Sequence, residues 1–549
     1  MKHPSVSIQN GRVLDGCGNP WFKSDILVKD SRISLIKHNH GCAADLVIDA
    51  SGKYVCPGFV DIHAHSDVTT LLNPHAASKL HQGITTDLVG NCGWSAAPLS
   101  SSQERREVIL DKLRTSLPAI PENWPWNSYG EYRDCIQMGG MAINLAGLVG
   151  HSTLRASVLG AEARAPSVSE LSQMKDLLAQ AMDEGAFGMS TGLAYSPGCY
   201  ADVDELVELA KVVARKGGFY ASHIRSLHDG IFEATREAIE IGRRAEIPVQ
   251  ISHFTPRTSM QGCAHSLMEL LTQARAGGVD VTCDLFVYTH GQANLRAFLP
   301  PWAREGGDNK IIARVKDPTC RERIKEEWRA GIPAGVSPKL VLATSGKWDQ
   351  LWVQKAIQNT ELEGRTIKAI SLERKCQPLD LLLDLLVEED AKVLVAGHDA
   401  VERDIEHILQ HPLSMLGTDG IALAPYGELN RGLVHSRSYG NHARVLEQYV
   451  VERETLTLAQ AIRKMTSAPA RRIGLRDRGV LKEGMKADII VFGLSDVRDN
   501  EEDGHASGCA SGFTDILVNG IPTVLSGEWT GATQGTFLAH MGEKEDGHV

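Results

Sequence analysis

The chain has 549 residues, with 57 basic against 68 acidic side chains and a formal net charge of −11. That length exceeds a single small core and points to two or three domains, or one large barrel with additions. The acidic balance disfavours nucleic acid or an anionic membrane as the main partner, and no run approaches the roughly 18 apolar residues that span a bilayer.

Residues 1 to about 55 read as short strands. Asp-Ile-Leu-Val-Lys, Arg-Ile-Ser-Leu-Ile and Asp-Leu-Val-Ile-Asp are apolar and β-branched, with Asn-Gly, Asp-Gly and Ser-Gly turns around them. The opening Met-Lys-His-Pro lacks an apolar core of signal-peptide length. The odd set of 11 cysteines has no regular close spacing and fits reduced thiols better than a disulfide framework. The cytoplasm is the expected compartment. Cys56-Pro57-Gly58 then leads into Phe59-Val60-Asp61-Ile62-His63, a short buried strand with His63 and His65 at its exit. Residues i and i+2 of a strand face one side, so two imidazoles can converge there on a metal ion. Alone, the pair is a weak pointer, more often two polar residues at a strand end.

Further strand candidates follow at 84–89, 143–149, 186–190, 219–223, 249–253, 279–285 and 414–419, with amphipathic helices between them. Over 170–184, Leu171, Met174, Leu177, Leu178, Ala181 and Met182 fall on one helical face. Ser167 and Glu170 make a capping-box start, and Gly185 a stop. Residues 231–245 repeat the pattern with Ala234, Ala238 and Ile241. With 59–63 the strands number eight, which favours a (β/α)8 TIM-like barrel over an open sheet. Residues 341–344 and 393–396 also read as strands, inside a long interval that is expected to be an insertion late in the barrel. Strand-like texture returns at 487–492 and 515–520, and the tail after Thr536 looks frayed. The expected α/β organisation is a small β-sandwich domain from both ends (1–56 with 476–549), a hydrolase barrel over 57–475, and an insertion at about 286–375.

In such a barrel the functional groups come from the C-terminal ends of the strands. Those ends carry His63 and His65, Cys92 in Val89-Gly90-Asn91-Cys92-Gly93, His223 in Ser222-His223-Ile224-Arg225, His253 in Ile251-Ser252-His253, and Asp419 in Gly417-Thr418-Asp419-Gly420. Singly, each has a plainer explanation: a satisfied core histidine, a buried small thiol, a turn-forming aspartate. Together they are the ligand types of zinc. Bound zinc lowers the pKa of its water to about 7, which gives a nucleophile for a carbonyl. Asp419, by position, is the group to take the proton and return it to the leaving nitrogen. Six groups exceed the needs of one tetrahedral zinc, so one site and two sites are both open, with Cys92 able to bridge a pair.

The chain resembles the N-acyl-D-amino-acid deacylases (D-aminoacylases), a branch of the amidohydrolase superfamily, over nearly its whole length. The markers are Pro57-Gly58-Phe59-Val60-Asp61-Ile62-His63-Ala64-His65-Ser66-Asp67, the Cys92 and His253 segments above, Val149-Gly150-His151-Ser152-Thr153-Leu154-Arg155, and Ser190-Thr191-Gly192-Leu193-Ala194-Tyr195-Ser196-Pro197-Gly198. They continue with Ser222-His223-Ile224-Arg225, Leu299-Pro300-Pro301-Trp302, Thr418-Asp419-Gly420 and Ala461-Ile462-Arg463-Lys464-Met465-Thr466. The resemblance implies zinc-dependent deacylation of a small N-acyl substrate. It implies a tight zinc on Cys92, His223 and His253, a second, weaker site on His63 and His65 with Asp419, and Asp419 as general acid/base. It places Tyr195, Arg225, Tyr288 and Arg437 among the substrate contacts.

Departures fall on the substrate side. The family's lysine two residues after the histidine matching His253 is Thr255 here, with Arg257 two further on. Its Asp-Val-Tyr-Pro-Tyr becomes Asp284-Leu285-Phe286-Val287-Tyr288, and its His-Pro-Arg becomes His435-Ser436-Arg437, whose arginine could still take a carboxylate bidentately. These changes keep open another amidohydrolase activity, on a cyclic amide or a non-amino-acid N-acyl compound. A barrel that has lost catalysis is the remaining alternative, disfavoured by the intact ligand set.

Overall fold

The computed structural model describes residues 4–540, apart from 40, 118, 122, 123, 332–335, 338, 431, 432, 503, 504 and 507. The two ends of the chain build one nine-stranded sheet. Its seam is the antiparallel pairing of Tyr54–Pro57 with Ile489–Phe492. Val6–Val13, Phe22–Lys29 and Arg32–Ile36 extend one side, and Phe513–Val518, Ile521–Leu525 and Glu528–Trp529 the other; Leu46–Asp49 pairs with Val6–Val13. Val6, Ile26, Val55, Ile489 and Leu517 share its core. The alternating β-branched runs of the two ends bury one shared apolar face.

Between these ends lie two parallel sheets. One runs in the order Ser414–Leu416, Val281–Leu285, Val249–Ile251, Phe219–His223, Gly188–Gly192, Val149–Gly150; the other is Phe59–Asp61, Ile84–Val89, Asn144–Gly147. Hydrogen bonds join them on both flanks. Leu148, between Asn144–Gly147 and Val149–Gly150, donates its N–H to the Val89 carbonyl. On the far side Asp419 N–H donates to the His63 carbonyl and His65 N–H to the Gly420 carbonyl. The strands are buried throughout, which is why they read as apolar runs rather than alternating ones. Helices cover them. Val168–Asp183 starts at Ser167 with the expected capping box to Glu170, and Ile231–Ala245 buries Ala234, Ala238 and Ile241. Among the described residues no helix is long and apolar enough to cross a membrane.

Two expectations are corrected. Residues 341–344 are helical, within Leu340–Thr344; four apolar residues are too few for periodicity to separate strand from buried helix. Leu394–His398 is a strand, as the run at 393–396 predicts, and it pairs antiparallel with His290–Asn294 and Leu351–Lys355 in a separate sheet. That sheet sits with its own hydrophobic cluster, drawn from Leu295 to Val395. Lastly, the chain from Thr536 to His540 is docked: Leu145 N–H donates to the Thr536 carbonyl, Leu538 N–H to the Leu145 carbonyl and His540 N–H to the Gly185 carbonyl. Phe537 packs edge-on against Tyr129 and Tyr132. A single aromatic at the end of a polar tail carries no periodicity that could have revealed this.

Phe537→Ala should therefore destabilise the protein by about 3–5 kcal/mol, as for other buried phenylalanines. A chemical-denaturation midpoint equal to wild type would show that the tail adds nothing to the fold.

Candidate metal centre

Val249–Ile251 and Ser414–Leu416 end earlier than their apolar runs suggested because the chain turns sharply at their exits, as it does after Ile84–Val89. Cys92, His253 and Asp419 have φ of 52°, 36° and 48°, a left-handed conformation that costs a non-glycine residue energy and clusters at functional sites. The turn lifts each side chain off the sheet and into the space above it. Gly417 makes room: a Cβ there would lie 2.6 Å from the His63 Cβ.

Two groups of donors result, each with its atoms within 4.8 Å of one another: Cys92, His223 and His253, and His63, His65, Cys92 and Asp419. Cys92 Sγ is the hinge between them, 3.7 Å from His223 Nδ1, 3.5 Å from His253 Nε2 and 3.3 Å from His63 Nε2. Asp419 Oδ1 lies 2.9 Å from His65 Nε2 and 3.4 Å from His63 Nε2. His63, Cys92, His223, His253 and Asp419 are buried, and His65 is half-buried.

Burial opposes every charge here, and neighbours overcome it. Burial would raise the Cys92 thiol, but His63, His223 and His253 hold it well below the usual thiol range. Burial would also raise Asp419, yet Arg437, His65 and His63 keep it well below the carboxylate range. Burial would lower His63, but Asp284 and Cys92 raise it well above the imidazole range. His65, also lowered by burial, is lifted to about 9 by Asp419 and Cys92. Burial and His253 push His223 down, towards the neutral form that binds metal. The centre is thus a thiolate and a carboxylate facing two imidazolium ions. A divalent cation replacing those two protons leaves the net charge unchanged, so the donor set fits a zinc ion in charge as well as in ligand type.

Asp284, at the end of Val281–Leu285, supports the donors from below. Its Oδ1 lies 3.0 Å from His63 Nδ1 and accepts the His253 N–H at 2.7 Å, while Gln250 Nε2 donates to Oδ2 at 2.9 Å. Deeper still, Asp61 accepts the backbone N–H groups of His63 and Thr418 at 3.0 and 2.9 Å and pairs with Lys79 Nζ at 2.7 Å. Sequence reasoning met Asp284 only as part of a substrate-contact segment; its alternation with Cys283 on a buried strand was the available signal.

The centre opens into a cavity of about 1580 Å³. Tyr195, Arg225 and Arg437 line it. The Tyr195 ring centroid is 4.6 Å from that of His223. Arg225 is committed to Glu237, through Nε at 3.0 Å and Nη2 at 2.8 Å. Arg437 is paired with Asp419 Oδ2 at 2.7 Å and lies over the Phe286 ring, as Arg257 does. Tyr288 is apart from the cavity lining, buried beneath Arg444 and against His290 and His435. Lys112, from the charged helix Gln103–Ser116, also lines the cavity, and nothing in its sequence neighbourhood marked it.

A sequence profile of the amidohydrolase family matches residues 46–245 and 379–506. The chain is 31% identical over 514 residues to an N-acyl-D-glutamate deacylase of Alcaligenes xylosoxydans xylosoxydans, covering 93% of this chain and 92% of that one. It is 30% identical over 533 residues to a D-aminoacylase of the same organism, covering 97% of each. It is also similar in structure to N-acyl-D-glutamate deacylase from Bordetella bronchiseptica complexed with zinc and a phosphonate inhibitor that mimics the tetrahedral intermediate. There the TM-score is 0.79 and the identity 28%, over 98% of this chain and 100% of that one. A D-aminoacylase described as having a binuclear metal centre, with one-metal activation and second-metal attenuation, gives a TM-score of 0.80 at 27% identity, over 97% and 99%.

Asp284→Ala should weaken zinc retention about 10–100-fold, as loss of a carboxylate behind metal-bound histidines does elsewhere; zinc content after dialysis against a weak chelator measures it. Apparent affinity for a second zinc, at His63, His65 and Asp419, should climb with pH towards 9, because His65 carries below that pH a proton that the metal must displace. A flat profile from pH 6 to 9 would contradict the charge balance derived above.

Proposed function

The chain belongs to the amidohydrolase family, and we propose that within it the protein is a zinc-dependent deacylase of N-acyl-D-amino acids. The observation that carries this reading is the convergence of Cys92, His223 and His253 on one point, with His63, His65 and Asp419 beside it. Cys92, His223 and His253 would hold the tight zinc, and His63, His65 and Asp419 a second, weaker one. The full-length likeness to deacylases of N-acyl-D-amino acids selects the substrate class.

When bound, zinc supplies Lewis acidity to the acyl carbonyl and to water. Asp419 acts as general base and then general acid: its Oδ1 takes the proton of the attacking water and returns it to the nitrogen that leaves. Arg437 on Oδ2 fixes the carboxylate so that Oδ1 faces the donors, and keeps it ionised beforehand. Tyr195, over His223, shapes the wall against which the acyl group lies. Asp284 aligns His63 and His253 without reaching the substrate.

The same reading extends to the scaffold. Eight parallel runs, with Asn144–Gly147 and Val149–Gly150 taken as one, are best understood as a (β/α)8 barrel joined through the Leu148 and His63–Gly420 hydrogen bonds. The nine-stranded sheet from both ends forms the small β domain, and the separately cored segment is an insertion near the mouth. The protein acts in the cytoplasm on a small molecule, without nucleic acid or membrane.

The test is turnover by the zinc-loaded protein of N-acetyl-D-amino acids, their L-isomers and hydantoins. D-selective deacylation is expected, and hydrolysis of hydantoins alone would replace this reading with a cyclic-amide one. Asp419→Ala should keep the tight zinc yet lose about 100-fold or more of turnover; full activity would put the base elsewhere.

A further inference from the structure

An N-acyl amino acid carries a carboxylate two bonds from the nitrogen that leaves, so a pocket that hydrolyses it has to desolvate that charge beside the metal centre. Burying a carboxylate without a cation or several donors is costly. The cavity has many cations, and five of them are already balanced by carboxylates. Arg437 is paired with Asp419 and Arg225 with Glu237. Arg257 and Lys339 share Asp399, at 2.8 and 2.7 Å, and Arg296 pairs with Asp308. The position two residues after His253 is Thr255, a buried hydroxyl with no charge to give.

Lys112 differs from these. Its helix, Gln103–Ser116, follows the strand that delivers Cys92, and the side chain is half-buried in the cavity wall. Its Nζ stands 5.1 Å from the Tyr195 ring centroid, and that ring lies against His223. Among the described residues no carboxylate lies within 4.0 Å of Nζ. The ammonium group is therefore one aromatic ring away from the metal donors and lacks an ion-pair partner. Burial and Arg296 depress its pKa to about 8, while Cys92 and Asp308 act in the opposite sense. A cation so placed gains from an arriving anion.

We propose that Lys112 is the residue that takes the substrate carboxylate, reaching it across the face of Tyr195. The assignment rests on the deacylase reading above and adds the carboxylate contact to it. Arg437, held by Asp419, serves the acid/base instead.

The test uses the zinc-loaded full chain as wild type, Lys112→Met and Lys112→Arg, each with an N-acetyl-D-amino acid and its carboxamide. Lys112→Met should lower kcat/KM for the carboxylate about 10–100-fold, the worth of a charged hydrogen bond, with the loss in KM more than in kcat. Lys112→Arg should recover most of it, the carboxamide should lose far less, and zinc content should match wild type. Equal losses on carboxylate and carboxamide, or no loss at all, would overturn the assignment. So would the carboxylate-specific loss appearing in Arg257→Met and not in Lys112→Met. If wild type hydrolyses no N-acyl-D-amino acid, the deacylase reading fails by itself. Calorimetric binding of the same carboxylate to wild type and Lys112→Met then decides the role of Lys112: weaker binding by the variant supports it, and equal or absent binding overturns it.

Discussion

Charge buried at the middle of an apolar fold has to be neutralised locally, because water is not there to do it. That constraint organises the protein from the floor of the centre upward. Lys79 sits fully buried between Asp61 and Asp87, and Asp61 in turn fixes the backbone of His63 and Thr418. Above them Asp284 balances His63, and Asp419 is shared among His63, His65 and Arg437. Each carboxylate does two jobs, cancelling a charge and orienting the backbone or ring beside it. Removing one partner would leave an uncompensated ion, which typically costs about 3–5 kcal/mol. The centre is rigid for electrostatic as much as for packing reasons.

Backbone conformation adds the second requirement. Parallel strands point their alternate side chains into the layer below, which suits packing and not ligand delivery. The left-handed residues Cys92, His253 and Asp419 break that alternation at the strand exits. Their strain is tolerated because the donors are held from outside: His253 N–H by Asp284, Asp419 N–H by the His63 carbonyl. The same bond that positions Asp419 also ties Phe59–Asp61 to Ser414–Leu416, so site geometry and sheet assembly rest on one contact.

Much of this was legible in the residues. The His63-Ala64-His65 pair alone said little, but Cys92, His223, His253 and Asp419 at comparable strand ends pointed to a single centre, and the structure brings all six together. The helix at Val168–Asp183 was legible from its cap and its apolar face. Asp284 was not, because its importance lies in the two histidines it touches, 221 and 31 residues away along the chain. The resemblance places Tyr288 near the substrate, but it lies behind the cavity wall: the strand ends at Leu285, so the rule that residues two apart share a face no longer ties Tyr288 to Phe286.

By itself the sequence determined what is local: which runs are apolar with what period, where helices start, and which donor types sit in short motifs. These depend on side-chain chemistry and on neighbours within a few residues. Only the tertiary structure decided which charges cancel, and therefore which remain available. His65 meets Asp419 across 354 residues, Arg437 is drawn from substrate to acid/base, and Lys112 is left beside Tyr195 without a carboxylate. An ionic partner is set by distance in space, and distance in space is what a one-dimensional pattern does not encode.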